Sequence, residues 1–260
     1  MSLGLSHILL SMAFVGGCAG VSIFLGLKAE RKIAVAVFRS VLQLSLLGYV
    51  LNFVFKNNYS LTFFAIFFVM VLTATHTSVK RISKSFKGIF GLSFFSIFIS
   101  TFLAGAYTLF FTIPQTPWYD VTNAIPLVGM ILGNSLTGVS LSLEKYVTDL
   151  ALRKNQIEDL LSIGASPFEV SKNLMGPAII SGMTPVLNTM MVVGIVSIPG
   201  MMTGQILAGA TPVEASLYQL IIMLMICASN FISTFLVCWL TFKKFFNSHR
   251  FNESVLSEVL

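Results

Sequence analysis

Long apolar stretches alternate with short polar segments along nearly the whole chain. A helix needs about 20 apolar residues to cross the hydrocarbon core of a bilayer, so each stretch predicts a membrane-spanning helix. The predicted spans are residues 8–27, 33–55, 61–79, 88–111, 124–143, 175–198 and 212–242. The pattern therefore predicts an all-α transmembrane bundle of about seven spans, forming one membrane domain over residues 1–260.

The composition fits a protein that is solvated by lipid. Hydrophobic residues make up 55% of the chain and charged residues only 10%, against about a quarter in ordinary soluble domains. The net charge of +6 does not indicate nucleic-acid binding, because the basic residues occur in short clusters between apolar runs. Cys18, Cys227 and Cys238 lie inside apolar runs without metal-ligand spacing, and we interpret them as packing residues. The N-terminus is interpreted as a retained first span.

The basic residues also predict the orientation of the chain. Of its 16 lysines and arginines, 14 follow the first, third, fifth and seventh predicted spans. Basic loops stay in the cytoplasm, so we expect the N-terminus outside and the C-terminus in the cytoplasm. Trp118 and Tyr119 then fit an aromatic belt at the outer interface. Pro199 and Gly200 break a long uncharged run, and residues 200–210 are too few to cross, which predicts a re-entrant or interfacial outer segment.

The largest predicted cytoplasmic segment, residues 144–174, has the pattern of a helix, a turn and a second helix. Gly164 can adopt the left-handed conformation that ends a helix. Ser166, Pro167 and Glu169 then have the spacing of a capping box with proline at the first helical position. The same pattern recurs at residues 211–214. A capped helix on the cytoplasmic face can transmit a push from a soluble partner, and the alternative is a solvated amphipathic loop.

This segment resembles the coupling loop of ABC importer-type permeases. The pattern of that loop is Glu-Ala-Ala, three residues, Gly, nine residues and then Ile-x-Leu-Pro. This chain has, at the same spacing, Glu158-Asp159-Leu160, then Gly164, then Leu174-Met175-Gly176-Pro177. The small residues of the pattern are replaced here. The resemblance implies an ATPase contact formed by Glu158, Asp159, Gly164, Ala165, Ser166, Pro167 and Glu169.

Four further segments carry a wider resemblance. They are residues 39–51, which begin Arg39-Ser-Val-Leu-Gln43, residues 125–134, which begin Ile125-Pro-Leu-Val-Gly129, Ser162-Ile-Gly-Ala-Ser-Pro167, and residues 196–204, which end Pro199-Gly-Met-Met-Thr-Gly204. They are similar to the FetB-type iron export permease family (UPF0014), whose plant relatives are aluminium-tolerance permeases. The resemblance runs from about Arg31 to Asn247. It implies a seven-helix permease of the inner or plasma membrane that exports metal, or in plants acts on a sugar nucleotide, and pairs with a cytosolic ATPase that holds ATP and Mg.

Polar residues inside the spans are candidates for a transport path. Arg39 lies about 9 Å into the second span by helix rise, and either lines a path or extends to the interface. Gln43 is one turn deeper on the same face. Asn134 and Asn188 interrupt apolar helices, and we expect hydrogen bonds to neighbouring helices or contact with a substrate.

Methionines gather around the predicted outer break. Met201 and Met202 follow it, and Met190 and Met191 precede it. Thioethers can ligate soft metals, but methionine is also a common gap filler. Iron(II) prefers imidazole or carboxylate ligands, and His76 is the only imidazole in the spans, so no iron ligands are assigned.

Two other classes of protein fit the sequence less well. An intramembrane serine hydrolase would need an activated serine, and Ser135 with His76 is the nearest approach. A secondary transporter or channel usually carries acidic residues in its spans, whereas here Asp and Glu occur in loops and tail, apart from Glu214 in the first turn of the last predicted span. The sequence has no GxxxxGK[ST] loop, so ATP hydrolysis requires a separate subunit, and we expect no cofactor on this chain. GxxxG pairs at Gly16, Gly129 and Gly200 favour close packing and a permease homodimer.

Overall fold

A computed structural model describes residues 5–56, 60–113, 121–247 and 250–251 of the chain. Contacts divide the chain into two units, residues 1–57 and residues 58–260. The predicted belt residues Trp118 and Tyr119 lie outside the described residues.

The first unit consists of helices α1 (Leu5–Phe24) and α2 (Glu30–Lys56). The turn between them is closed by Ser22, whose hydroxyl donates to Glu30 Oε2 over 3.0 Å and accepts from the Ala29 backbone N–H over 3.1 Å. Gly26 supports the change of direction with a positive φ of 63°. One polar side chain thus joins the end of α1 to the start of α2.

The second unit contains the remaining helices and a short hairpin. They are α3 (Ser60–Lys80), α4 (Ile89–Tyr107), a π-helical turn (Thr108–Thr112), α5 (Val121–Leu152), α6 (Lys154–Ser162), α7 (Pro167–Val192), α8 (Gly200–Leu207), α9 (Pro212–Phe245), β1 (Phe246–Asn247) and β2 (Arg250–Phe251). The two strands are antiparallel. Helices α5 and α9 lie at the centre, since both pack against α4 and α7 and against each other.

Small residues let the central helices approach closely. At Gly182 on α7, an added Cβ would lie 2.6 Å from the carbonyl oxygen of Gly138 on α5. Asn230 on α9 donates through Nδ2 to the Gly182 carbonyl over 3.0 Å. Close backbone contact and an interhelical amide bond are the usual means of helix association in membranes, where burial from water supplies no driving force between helices.

The GxxxG glycines of the second unit, Gly129 with Gly133 and Gly200 with Gly204, are not the glycines at these close helix contacts. A Cβ at Gly133, Gly200 or Gly204 would meet no described atom within 4 Å, and at Gly129 it would meet only the Met70 methyl at 3.3 Å. Within the second unit these two pairs thus make no close backbone contact, and the homodimer that they were expected to favour stays a prediction. The sequence spacing of GxxxG marks a smooth helix face but does not tell which partner covers it.

The predicted all-α membrane bundle is confirmed. Within the described residues, five segments are long and apolar enough to cross a membrane: Glu30–Asn52, Ser60–Lys80, Ile89–Thr112, Val121–Leu152 and Pro212–Phe245. Helix α1 contributes a shorter apolar stretch, Leu10–Phe24, and α7 has 26 residues but includes Pro177 and Pro185. The count of seven spans and the sidedness of the termini stay predictions.

Two helix boundaries differ from those predicted. Helix α5 continues past the predicted end of its span at residue 143 to Leu152. Helix α7 begins at Pro167, as the predicted capping box requires, but ends at Val192, before the predicted break at Pro199. Gly194 has a φ of 84°, and its N–H donates to the Ser197 carbonyl over 2.9 Å, which turns the chain ahead of the proline. Helix α8 has eight residues, or about 12 Å of rise, too little to span.

Candidate functional site

Helix α6 ends in a tight turn that leads into α7. Residues 160–171, which comprise the end of α6, this turn and the start of α7, are here called the α6–α7 turn. Gly164 adopts a φ of 97°, as expected for the left-handed residue that ends a helix. Its N–H donates to the Leu161 carbonyl over 3.2 Å, and the Ala165 N–H donates to the Leu160 carbonyl over 3.0 Å. These two bonds form a Schellman motif and satisfy the last carbonyls of α6.

The predicted capping box that starts α7 is confirmed. The Ser166 Oγ accepts from the Glu169 backbone N–H over 3.3 Å, and Glu169 Oε2 accepts from the Ser166 N–H over 2.9 Å. The Ser166 hydroxyl also donates to the same carboxylate over 2.7 Å. These bonds from the hydroxyl and then the backbone of Ser166 lower the pKa of Glu169 below its ordinary value. Pro167 occupies the first helical position, so the start of α7 is fixed by several local restraints.

The α6–α7 turn presents apolar side chains to its surroundings. Ile163 is 80% exposed, Phe168 is 46% exposed and Leu160 is 41% exposed. Ile157 of α6 points inward and is buried. Among the residues implied to contact an ATPase, Asp159, Gly164 and Glu169 are exposed, and Glu158, Ala165, Ser166 and Pro167 are half-buried. The turn is thus a rigid surface whose centre is apolar, which is the usual composition of the buried part of an interface.

The start of α7 is also tied to the two central helices. The hydroxyl groups of Tyr146 on α5 and Ser171 on α7 lie 2.5 Å apart, and both residues are buried. The Phe168 ring packs edge-on against Trp239 of α9 with centroids 5.9 Å apart. A displacement of the α6–α7 turn therefore acts on α5 and α9 as well as on α7.

The remaining candidate residues are not gathered in one place. Arg39 and Gln43 are exposed on α2, in the first unit. Asn134 was expected to bond a neighbouring helix, but its Nδ2 donates to the Met130 carbonyl of its own helix over 2.8 Å. Asn188 is exposed near the end of α7. The amide that joins helices is Asn230, which the sequence reasoning missed although it interrupts an apolar helix in the same way.

Methionines from three helices meet in one cleft of about 240 Å³. Met190 of α7, Met202 of α8 and Met223 of α9 line it, together with Gln219 and Ser216 of α9. We call it the methionine cleft. Met201, the other predicted residue on α8, is half-buried and packs, like Met190, against the apolar cluster that contains Val186, Ile222 and Met223. Sequence spacing indicated Met190, Met201 and Met202, but Met223 and Gln219 could be placed only by the fold.

The arrangement required for an intramembrane hydrolase is not seen among the described residues. Ser135 is buried and its Oγ lies 3.0 Å from the Oγ of Ser229, while His76 is exposed on α3. The described residues also include no group of three or more His, Cys, Asp or Glu side chains that could hold a metal ion.

The fold defines a multi-pass helical membrane protein, as predicted. The model of a family described as "Uncharacterised protein family (UPF0014)" matches residues 5–246, and the chain belongs to this family. The chain is 34% identical to the UPF0014 membrane protein slr1647 of Synechocystis, over 92% of each chain. It is 33% identical to the "Probable iron export permease protein FetB" of Escherichia coli, over 85% of this chain and 84% of that one.

A plant protein is among the relatives as well. The chain is 32% identical to the Protein ALUMINUM SENSITIVE 3 of Arabidopsis thaliana, over 83% of this chain and 79% of the plant protein. No solved structure gives a significant match. The resemblance inferred from short sequence segments is thus confirmed at the level of the family.

Proposed function

We propose that the chain is the membrane-spanning subunit of an ABC-type transporter that exports metal ions. In this proposal ATP and Mg are bound and used by a separate cytosolic ATPase, and the chain itself is not an enzyme. The transport class is supported by the relative from Escherichia coli, whose printed name is an iron export permease.

The observation that carries the proposal is the construction of the α6–α7 turn. It combines an exposed apolar surface, a rigid Schellman and capping-box geometry, and direct contacts to α5 and α9. A soluble subunit that binds Ile163 and Phe168 and then moves would therefore displace the central helices α5 and α9. A solvated loop without a partner would not need exposed apolar side chains at a rigid turn.

The chain offers a matched pair of glycines for the test. Gly209 has a φ of 102° and precedes a second capping box, in which Thr211 Oγ1 accepts from the Glu214 N–H over 3.3 Å. Gly164 and Gly209 thus have the same backbone role in two similar turns. According to the basic-residue asymmetry, however, Gly164 is on the cytoplasmic side and Gly209 is on the outer side.

The experiment compares Gly164→Val with Gly209→Val. Each substitution strains a left-handed position by about 1–3 kcal/mol. We expect Gly164→Val to insert normally but to lose association with the ATPase and substrate-stimulated ATP hydrolysis, while Gly209→Val keeps the association. Unchanged association and hydrolysis in Gly164→Val would refute the coupling role of the turn.

A second part of the proposal is that two copies of the permease work together. Two observations support this. One chain of this length is small for an alternating-access path. The helix faces around Gly133 and Gly204 are also smooth, and no described residue of the second unit covers them. Mass measurement of active, ATPase-bound particles in nanodiscs tests this, and a single permease copy there would refute it.

A further inference from the structure

The methionine cleft has the composition of a ligand site. Methionine supplies three of its nine lining residues, against 12 of the 260 residues of the chain. Met190 and Met202 are half-buried, and Met223 is only 7% exposed. The three side chains come from three different helices, so their proximity is a property of the fold and not of a methionine-rich stretch.

The cleft is built where α7 ends and α8 begins. Gly194 turns the chain after α7, and Pro199 precedes the first residue of α8, and both line the cleft. On α9, Ser216, Gln219 and Met223 follow one another at helical spacing on one face. The short α8 therefore closes the cleft against a face of α9 that carries polar groups.

Gln219 supplies an unsatisfied polar group at this site. Its side chain is 7% exposed, and its Oε1 has no hydrogen-bond partner among the residues that the structure describes. The Ser216 hydroxyl donates to the Val213 carbonyl over 2.7 Å, which leaves its oxygen free to act as an acceptor or ligand. A buried amide oxygen without a partner destabilises the fold, so a bound cation near it would be stabilising.

The three thioethers and the amide oxygen that line the cleft favour one class of cation. Thioethers are soft ligands that bind Cu(I) and its analogue Ag(I), whereas Fe(II), Zn(II) and Mg(II) favour imidazole, carboxylate or water oxygen. No lining residue among those described carries a charge. A monovalent ion is the less costly one to place in such an uncharged apolar cleft, since the desolvation penalty grows with charge.

We propose that the methionine cleft binds a soft monovalent cation, Cu(I) or Ag(I), through the thioethers of Met190, Met202 and Met223, with the amide of Gln219 as an additional oxygen ligand. This inference deepens the proposed function, and rests on it, by naming the class of metal substrate. It differs from the iron named for the relative from Escherichia coli.

The test uses the full chain in nanodiscs with its three cysteines replaced (Cys18→Ser, Cys227→Ser, Cys238→Ala), because thiols bind the same ions. Ag(I) is titrated calorimetrically in chloride-free buffer, and Cu(I) is titrated against a chromogenic chelator. The test variant is Met190→Leu with Met202→Leu, a change that conserves volume. Met175→Leu, a buried position of α7 away from the cleft, is the matched control.

We expect about one Ag(I) or Cu(I) per chain, at least a tenfold loss of affinity in the double variant, and unchanged affinity in Met175→Leu. Silver absorption-edge spectra of the cysteine-free chain should show sulfur ligands, a readout that needs no methionine variant. Fe(II), titrated anaerobically, should bind at least tenfold more weakly.

Absence of Ag(I) binding, equal binding by the double variant, or Fe(II) binding as tight as Ag(I) would each overturn the inference. Association with the ATPase is measured on the same samples. If that association persists without Ag(I) binding, only this inference fails, whereas its absence in the native chain refutes the proposed function instead.

Discussion

The hydroxyl groups of Tyr146 and Ser171 lie 2.5 Å apart between α5 and α7, and both side chains are fully buried. Ser171 is in the second turn of α7, shortly after the capping box, and Tyr146 is in the part of α5 beyond the predicted span. The bond thus joins a central helix to the element that we propose is moved by an ATPase.

Replacing Tyr146 by Phe should remove the hydrogen bond to Ser171 and keep the aromatic ring that fills the space between α5 and α7. The change leaves the Ser171 hydroxyl buried without its partner, which costs about 1–3 kcal/mol. We expect Tyr146→Phe to bind the ATPase normally but to show reduced substrate-stimulated ATP hydrolysis. Ser171→Ala and the double variant complete a cycle, and additive effects of the two single changes would contradict the proposed role of the bond.

Gly182 should not tolerate alanine. An added Cβ would lie 2.6 Å from the Gly138 carbonyl oxygen and 2.8 Å from Thr234 Cγ2. We expect Gly182→Ala to be destabilised by about 1–3 kcal/mol, as is usual for overpacking, and to unfold at lower temperature in detergent.

Gly176 of the same helix provides the control. A Cβ there would meet no described atom within 4 Å, so Gly176→Ala should be neutral or stabilising by up to about 1 kcal/mol through helix propensity. Equal unfolding temperatures for the two alanine variants would contradict the close approach of α5 and α7.

The central packing shows where sequence reasoning stops. The apolar lengths predicted the helices, and the Gly164 and Ser166 patterns predicted the α6–α7 turn, because caps and left-handed glycines depend on neighbours within a few residues. Gly138, Gly182 and Asn230 were missed because their role depends on which helices cross, and a single sequence does not contain that information. Asn134 was assigned the interhelical bond that Asn230 makes.

The methionine cleft illustrates the same limit. Met201 and Met202 were noted because they closely follow Pro199 in sequence, and of the two only Met202 lines the cleft. The third thioether and the amide lie one turn apart on α9. Their relation to the break after α7 follows from helix packing, which local patterns do not encode.

The capping box at Ser166 should respond to acid. The bonds to Ser166 lower the pKa of Glu169, so the charged form is favoured by folding. The resulting stabilisation is present above the ordinary value of 4.5 and is lost as the pH falls through the lowered pKa. Amide hydrogen exchange at Ser166 and Glu169, corrected for intrinsic rates, should lose protection in that range. In Glu169→Gln the protection should be lower and independent of pH. A native-like acid response in that variant would show that the Glu169 carboxyl is not the titrating group.

The two similar turns should lie on opposite sides of the membrane. The turn at Gly164 follows a basic segment that contains Lys145, Arg153 and Lys154, whereas the turn at Gly209 lies in an uncharged stretch. Since basic segments are retained in the cytoplasm, we expect α7 to cross the bilayer between the two turns. Pro177 and Pro185 inside α7 do not prevent this, because membrane helices accommodate proline through neighbouring helices.

Single cysteines in a cysteine-free background test this topology at two exposed positions, Asn155 on α6 and Thr203 on α8. We expect Thr203→Cys to react with a membrane-impermeant maleimide in intact cells. Asn155→Cys should react only after the membrane is permeabilised. Labelling of Asn155→Cys from outside would invert the orientation and place the α6–α7 turn beyond the reach of a cytosolic ATPase. Labelling of both positions from one side would mean that α7 does not cross, and that the matched glycine variants no longer distinguish the two faces.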